Sequence, residues 1–308
     1  MRLVSYVKNG QHRAGLVCED MIVDLTRASQ GESVRRKHGR PLPPSVKRIL
    51  ELGEEALAVV SLIESEFAGH VPEDLPPDFC LPLHQAKLVA PVPDPQKIIC
   101  IGMNYRDHCE EQKKPLPEKP IIFAKFPTAL IGHNQPIVKP ALTEKMDYEA
   151  ELGVVIGKRG KNIPEKQALS HVAGYTIVND VTARDIQVSD GQWVRAKSFD
   201  TFAPSGPFLV TADEAPDPQN MDIRLAVNGE VRQSSNTRNM VFSVAYLISY
   251  ISRVCTLLPG DLISTGTPGG VGVFRDPPVF LKEGDVISIE IERLGVLTNP
   301  VREEHTAT

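Results

Sequence analysis

The runs Asp147-Tyr148-Glu149-Ala150-Glu151-Leu152-Gly153-Val154-Val155-Ile156-Gly157 and His171-Val172-Ala173-Gly174-Tyr175-Thr176-Ile177-Val178-Asn179-Asp180 decide the fold of this chain. Both read as strands. A strand alternates faces, so Glu149 and Glu151 point one way and Ala150 the other. An apolar run, Leu152, Val154, Val155 and Ile156, follows at once. Two same-facing carboxylates at the mouth of such a run repel each other and cost desolvation. Asp180, at the end of the second run, can join them from a neighbouring strand. A hard divalent cation with oxygen ligands is the simplest way to settle that charge. A pair of surface glutamates on an edge strand has the same spacing.

On the N-terminal side, residues 3–7, 14–18 and 21–25 (LVSYV, AGLVC, MIVDL) read as a short β-meander, with turns at Asn9-Gly10 and Glu19-Asp20. Residues 28–43 are polar and basic and read as a loop, including the basic run 34–40. Val46 to Phe67 has helical spacing, and Gly53 divides it into two helices. A proline-dense stretch then reads as an extended arm. KIICIG (97–102) and IIFAKF (121–126) are buried strands. Beyond Asp180 come a helical turn in VTARDIQ (181–187), strands in FAPSGPFLV (202–210) and IRLAVNGEVRQ (223–233), an amphipathic helix from Met240 to Val254, and a late alternating strand in DVISIEIERLG (285–295). Asn228-Gly229 is a hairpin turn. The expected class is α+β and β-rich. The expected organisation is a small α+β accessory domain over 1–70, a linker over 71–94 and a main domain over 95–303.

Composition narrows the function. The 308 residues carry a net charge of −5 and no long basic block, which disfavours nucleic acid and anionic membrane as partners. No apolar run approaches the roughly 18 residues needed to span a bilayer. The N-terminus lacks a signal-peptide or transit pattern, so a cytoplasmic location is expected, or the mitochondrial matrix if a leader has been removed. Five scattered cysteines, with no CxxC, suit a reducing compartment. Cys109, beside His108, is a poor nucleophile because acidic neighbours raise a thiol pKa.

Four further constellations carry chemistry. In GMNYRDHCEEQ (102–112), His108 and Glu111 are three apart on one helical face, and the carboxylate can orient and charge the imidazole as a base. In VTARDIQ, Arg184 can grip a carboxylate and Gln187 can donate to a carbonyl. In RAKSFDTFAP (195–204), Lys197 lies near apolar neighbours and suits a developing enolate; an ordinary snorkelling lysine has the same setting. STGTPGGVG (264–272) lacks the Walker lysine and is no nucleotide fingerprint. The hydroxyl of Thr267 and its close-approaching backbone suit a small carboxylate, or simply a tight loop.

Taken in order, IGMNYRDHCEE, FAKF, DYEAELGVVIGKRGKNI, GYTIVNDVTARDIQ, AKSFDTFAPSGP, VNGEVRQSSNT and GDLISTGTPGGVG resemble the fumarylacetoacetate hydrolase family over residues 95–300. GVFRDPPVFLKEGD (272–285) resembles one branch of it. The resemblance implies a β-roll of mixed sheets, with the N-terminal region as the accessory domain of longer members, and a homodimer. It implies Mg²⁺, or Mn²⁺ or Ca²⁺, on Glu149, Glu151 and Asp180. It implies a mobile lid bearing His108 and Glu111, with Tyr105, Arg184, Gln187, Lys197 and Thr267 around the substrate. The implied enzyme acts on a small 2-oxo acid or 1,3-dicarbonyl acid through an enolate that the metal stabilises. Most broadly that is C–C hydrolysis of an acylpyruvate-type substrate. The alternatives are an oxaloacetate tautomerase or decarboxylase, which the branch favours, and a non-catalytic metabolite-binding member. One departure concerns substrate: acylpyruvase-like members often have Arg where this chain has Met103.

Overall fold

The computed structural model describes residues 1–32, 34–35, 40–70, 76 and 78–304. The middle of the basic run (36–39) and the start of the expected linker (71–75 and 77) lie outside the described residues.

The two deciding runs pair as antiparallel neighbours, Ala150–Ile156 against Val172–Asn179, with Ala150 opposite Asn179 and Glu151 opposite Val178. They sit inside a 12-stranded sheet. On one side of them run Ala203–Thr211, Arg2–Lys8, Gln11–Cys18, Met21–Asp24 and Cys80–Pro82; on the other, Leu262–Ser264, Ile98–Gly102 and Ile121–Lys125. Every residue of Ala150–Ile156 is buried, because both faces of the sheet are covered. Leu152, Val154 and Ile156 join the core that includes Leu225, Ile287 and Ile289 of a five-stranded sheet and Leu247 and Ile248 of the helix Val244–Val254. Val155 and Val178 point the other way, into a core with Ile49, Val60 and Ile63. This is a β-rich α+β fold.

The expected helices form with small corrections. Gly53, at φ +74°, separates Val46–Leu52 from Glu54–Phe67. The late helix starts at Val244 and not near Met240, because the Ser243 side chain accepts from Tyr246 N–H and caps it there. Asn228 and Gly229 both have positive φ, as a tight hairpin turn requires.

Two features differ more from expectation. The proline-dense arm is partly packed: Cys80–Pro82 pairs with Met21–Asp24, and Lys87–Val89 pairs with Arg2–Lys8. Cys80–Pro82 is the sheet's outermost strand, where a proline's missing N–H is tolerated. The N-terminal strands also continue the main sheet, since Arg2 and Leu3 pair with Val210 and Leu209.

Candidate active site

The first deciding run is not one strand. Met146–Asp147 pairs with Thr182–Ala183 in a separate ladder, and the main strand starts at Ala150. Side chains satisfy the backbone across the break. Glu149 N–H donates to Asn179 Oδ1 at 3.0 Å, and Ala150 N–H donates to Gln233 Oε1 at 2.9 Å. The antiparallel register continues just past the strand ends, where Asp180 N–H donates to the Glu149 carbonyl at 2.9 Å. Alternation and register together therefore bring Glu149, Glu151 and Asp180 into one cluster. One oxygen from each lies within 4.8 Å of the others, and all three residues are buried.

Two lysines and an arginine answer this charge. Lys197 Nζ donates to Glu149, Asp180 and the Thr182 hydroxyl, each at 2.8 Å. Lys125 Nζ donates to the other oxygen of Asp180 at 2.6 Å. Arg184 meets Asp147 at 2.8 Å and Glu149 at 2.7 Å. Glu151 accepts from the Ser264 hydroxyl and from Gly266 N–H. Burial works against ionised Glu149, yet Lys197 and Arg184 outweigh it and hold the carboxyl well below the usual range. Among the described residues, Glu151 has no cationic side chain in an ion pair with it. Burial pushes its carboxyl well up, and Asp180 and Glu149 push it further. Burial alone would lower the Lys197 ammonium, but Asp180 and Glu149 raise it. The buried set thus holds four carboxylates (with Asp147) against three cations.

That surplus fits a divalent ion. The donors are all oxygen, and their mutual spacing suits a common ligand distance of about 2.0–2.6 Å. Glu151, the carboxylate without a cation, gains most from such an ion.

Glu149 and Glu151 of the cluster line a cavity of about 350 Å³, while Asp180 is fully buried and does not line it; the volume is near the small end of the roughly 300–1,000 Å³ usual for ligand sites. Ile101, Met103, Phe123, Trp193 and Phe274 supply its apolar walls. His108 hangs over it from the short helix Arg106–Glu111. His108 Nδ1 lies 3.1 Å from Glu111 Oε2, and Nε2 lies 2.8 Å from the Gln112 amide nitrogen. An ionised Glu111 only accepts, so it places the proton on Nδ1; the Nε2 lone pair then takes its hydrogen bond from Gln112. Gly270 N–H donates to the other oxygen of Glu111 at 2.9 Å. Asp107 accepts from Gly269 N–H at 3.3 Å and from the Ser235 hydroxyl. The segment expected to be loosely packed is thus pinned shut by the Gly-rich loop, with His108 and Cys109 buried. Burial, then Asp107 and Glu110, raise the Cys109 thiol, which leaves it a poor nucleophile.

His108, Glu149, Glu151, Arg184, Gln187, Lys197 and Thr267 all line the cavity. Three of the residues expected to touch substrate are placed differently from that expectation. Tyr105 does not line it: the residue is fully buried, and its hydroxyl has no hydrogen-bond partner among the described residues. Arg184 is not a free grip, since its guanidinium is spread over Asp147, Glu149 and the Gln187 carbonyl. Lys197 has spent its three donors on Glu149, Asp180 and Thr182. Thr267 keeps its hydroxyl proton free, because its oxygen accepts from Gln233. Sequence reading missed the role of Lys125, whose only signal was a lysine inside an otherwise apolar strand. It also missed Asp147, which faces Arg184 from a ladder that reading ran into the next strand.

A sequence profile described as the fumarylacetoacetate (FAA) hydrolase C-terminal domain matches residues 97–302. The chain belongs to this family. It is 50% identical over 262 residues to the mitochondrial oxaloacetate tautomerase FAHD2A of Bos taurus, covering 84% of this chain and 80% of the relative. It is 46% identical over 308 residues to the mitochondrial oxaloacetate tautomerase fahd2 of Xenopus laevis, covering 98% and 90%. Among solved structures, the fumarylacetoacetate hydrolase of Exiguobacterium antarcticum superposes with a TM-score of 0.80 at 36% identity, covering 99% of this chain and 100% of that one. The chain is therefore an enzyme of the fumarylacetoacetate hydrolase family.

Proposed function

We propose that this enzyme is a Mg²⁺-dependent tautomerase of a small 2-oxo dicarboxylate of the oxaloacetate type. The observation that carries the reading is a single imidazole, its tautomer set by Glu111, held over a buried oxygen-donor cluster in a small cavity with apolar walls. Moving one proton between carbon and oxygen needs a base, stabilisation of the enolate and shelter from water. The relatives named oxaloacetate tautomerases agree with it.

Glu149, Glu151 and Asp180 would hold the ion. Bound there, it supplies Lewis acidity toward the oxygens of a 2-oxo acid. His108 accepts a proton from the carbon beside the oxo group through Nε2 as Gln112 gives way, and Glu111 stabilises the imidazolium. His108 then returns the proton to oxygen. Lys197 and Arg184 hold the carboxylates in place, and their positive charge favours the developing enolate. Thr267 and Gln187 offer hydrogen bonds to the substrate carboxylate. The catalytic unit spans 95–303, with 1–70 as its accessory part and 71–94 joining them. The assembly is a homodimer, located in mitochondria like its named relatives or in the cytoplasm.

The test follows the enol absorbance of oxaloacetate with Mg²⁺ and with chelator. Enzyme-dependent, Mg²⁺-dependent acceleration of the approach to keto–enol equilibrium, from either tautomer, is expected; a rate equal to the buffer's rejects the reading. C–C hydrolysis is the second reading, favoured by the fold shared with a fumarylacetoacetate hydrolase. It alone places solvent oxygen in a cleaved product, so labelled water with an acylpyruvate separates the two. Sedimentation tests the dimer: about twice the 33.8 kDa chain mass is expected.

A further inference from the structure

Three cationic side chains line the cavity: Lys114, Arg184 and Lys197. Arg184 and Lys197 are committed to buried carboxylates. Lys114 has no carboxylate partner among the described residues, and it is exposed. Its placement is built into the backbone. The helix Arg106–Glu111 ends in a reversal in which Lys113 N–H donates to the Glu110 carbonyl at 2.9 Å and Lys114 N–H to the Cys109 carbonyl at 3.0 Å. This is the paired closure of a Schellman turn, which requires a left-handed residue and most often uses glycine. Here Lys113 adopts it, at φ +53°. The turn folds Lys114 back to the cavity, next to Gln112 and on the lid side. Met103 and Phe274 are among the apolar residues that line the same cavity.

We infer that Lys114 determines specificity by pairing with the distal carboxylate of a dicarboxylate substrate. The inference rests on the tautomerase reading for the identity of the substrate head. A 2-oxo acid bound by its carboxylate and oxo group at the triad directs its remaining arm away from the floor. The uncommitted charge that an anionic arm meets along the cavity is Lys114. A neutral arm has no such partner, so the lid discriminates between diacids and monoacids of equal head group.

Two measurements test this on the Mg²⁺-loaded full chain. The first compares kcat/KM for oxaloacetate and its 4-ethyl ester in the wild type and in Lys114→Gln and Lys114→Glu. The diacid should lose roughly tenfold in Lys114→Gln, through KM and with kcat nearly kept, while the ester is unaffected. Tenfold is the low end for a hydrogen bond to a charged group, as suits a solvent-facing lysine. Lys114→Glu should prefer the ester. The second measures binding of malate and lactate, which share a head and differ in the distal carboxylate, by calorimetry. Wild type should favour malate and Lys114→Gln should not. An unchanged diacid-to-ester ratio, or malate preference retained in Lys114→Gln, overturns the inference. Loss of malate preference in a chain that turns over neither oxaloacetate nor its ester would sustain the role of Lys114 and remove the tautomerase reading.

Discussion

Single residues divide this site into those that act and those that hold. Among the described residues, His108 is the one imidazole that lines the cavity, and its Nδ1 is committed to Glu111. His108→Ala should lower kcat about a hundred- to ten-thousandfold, the usual worth of a general base, while Mg²⁺ affinity stays near wild type because His108 is not among the clustered carboxylates. Wild-type turnover in that variant would remove the base assignment. The carboxylate cluster was legible in the sequence because strand alternation and a short intervening segment leave few places for Asp180. The dyad was legible from helical spacing. The holding role of Arg184 was not: a guanidinium near a pocket reads as a substrate grip until its partner is known. Here the partner, Asp147, belongs to a strand that breaks two residues before the main one begins. Lys125 was hidden for a similar reason, since its carboxylate is 55 positions away.

Elements set how firmly those residues are held. The Gly-rich loop closes on the lid through Gly270 N–H and Glu111. Gly270 sits at φ +104°, and an added Cβ would meet the Arg232 carbonyl oxygen at 2.2 Å. Both facts exclude a side chain. Gly270→Ala should therefore shift the loop, release Glu111 and lower kcat more than it lowers thermal stability; kinetics and melting on the same preparation show whether it does. The meander was legible from alternation and turn residues, but its attachment to the main sheet was not, since Leu3 meets Leu209 across two hundred positions. Asp24 anchors that meander. It caps the turn Leu25–Ala28, accepts from the Tyr6 hydroxyl at 2.7 Å and pairs with Arg13 at 2.7 Å. Burial opposes its charge, but Arg13 and Tyr6 prevail and leave its carboxyl below the usual value. A depressed carboxyl gives stability that is full above the unfolded value of about 3.9 and is lost as pH falls through the folded value. Melting temperatures of wild type and Asp24→Asn should thus differ most at pH 6, and the gap should narrow as pH falls below about 3.9. A gap that persists at low pH would locate the effect elsewhere.

At the scale of the molecule, the fold buries four carboxyl groups against three cationic side chains. Asp147, Glu149, Glu151 and Asp180 are buried with Lys125, Lys197 and Arg184; one divalent ion turns this surplus of one negative charge into one positive charge, which an anionic substrate then meets. The outer end of the sheet, Ile121–Lys125, leaves Ile121 and Ile122 exposed, as a subunit contact would use. Neither consequence follows from composition, because net charge sums over the surface and the core alike. An ion that binds the folded chain and not the unfolded one stabilises it by mass action, by about 2.7 kcal/mol at a hundred times its dissociation constant. At roughly 2 °C per kcal/mol for a chain of this size, saturating Mg²⁺ should raise the melting temperature by about 5 °C, and chelator should reverse it. Glu151→Gln separates this from nonspecific salt effects. Glutamine removes the carboxylate charge that burial and the adjoining Asp180 and Glu149 disfavour at Glu151, so the variant should melt at or above the chelated wild type while losing the Mg²⁺ response. An equal Mg²⁺ shift in wild type and Glu151→Gln would place the ion away from the triad, and the proposed chemistry would fall with it.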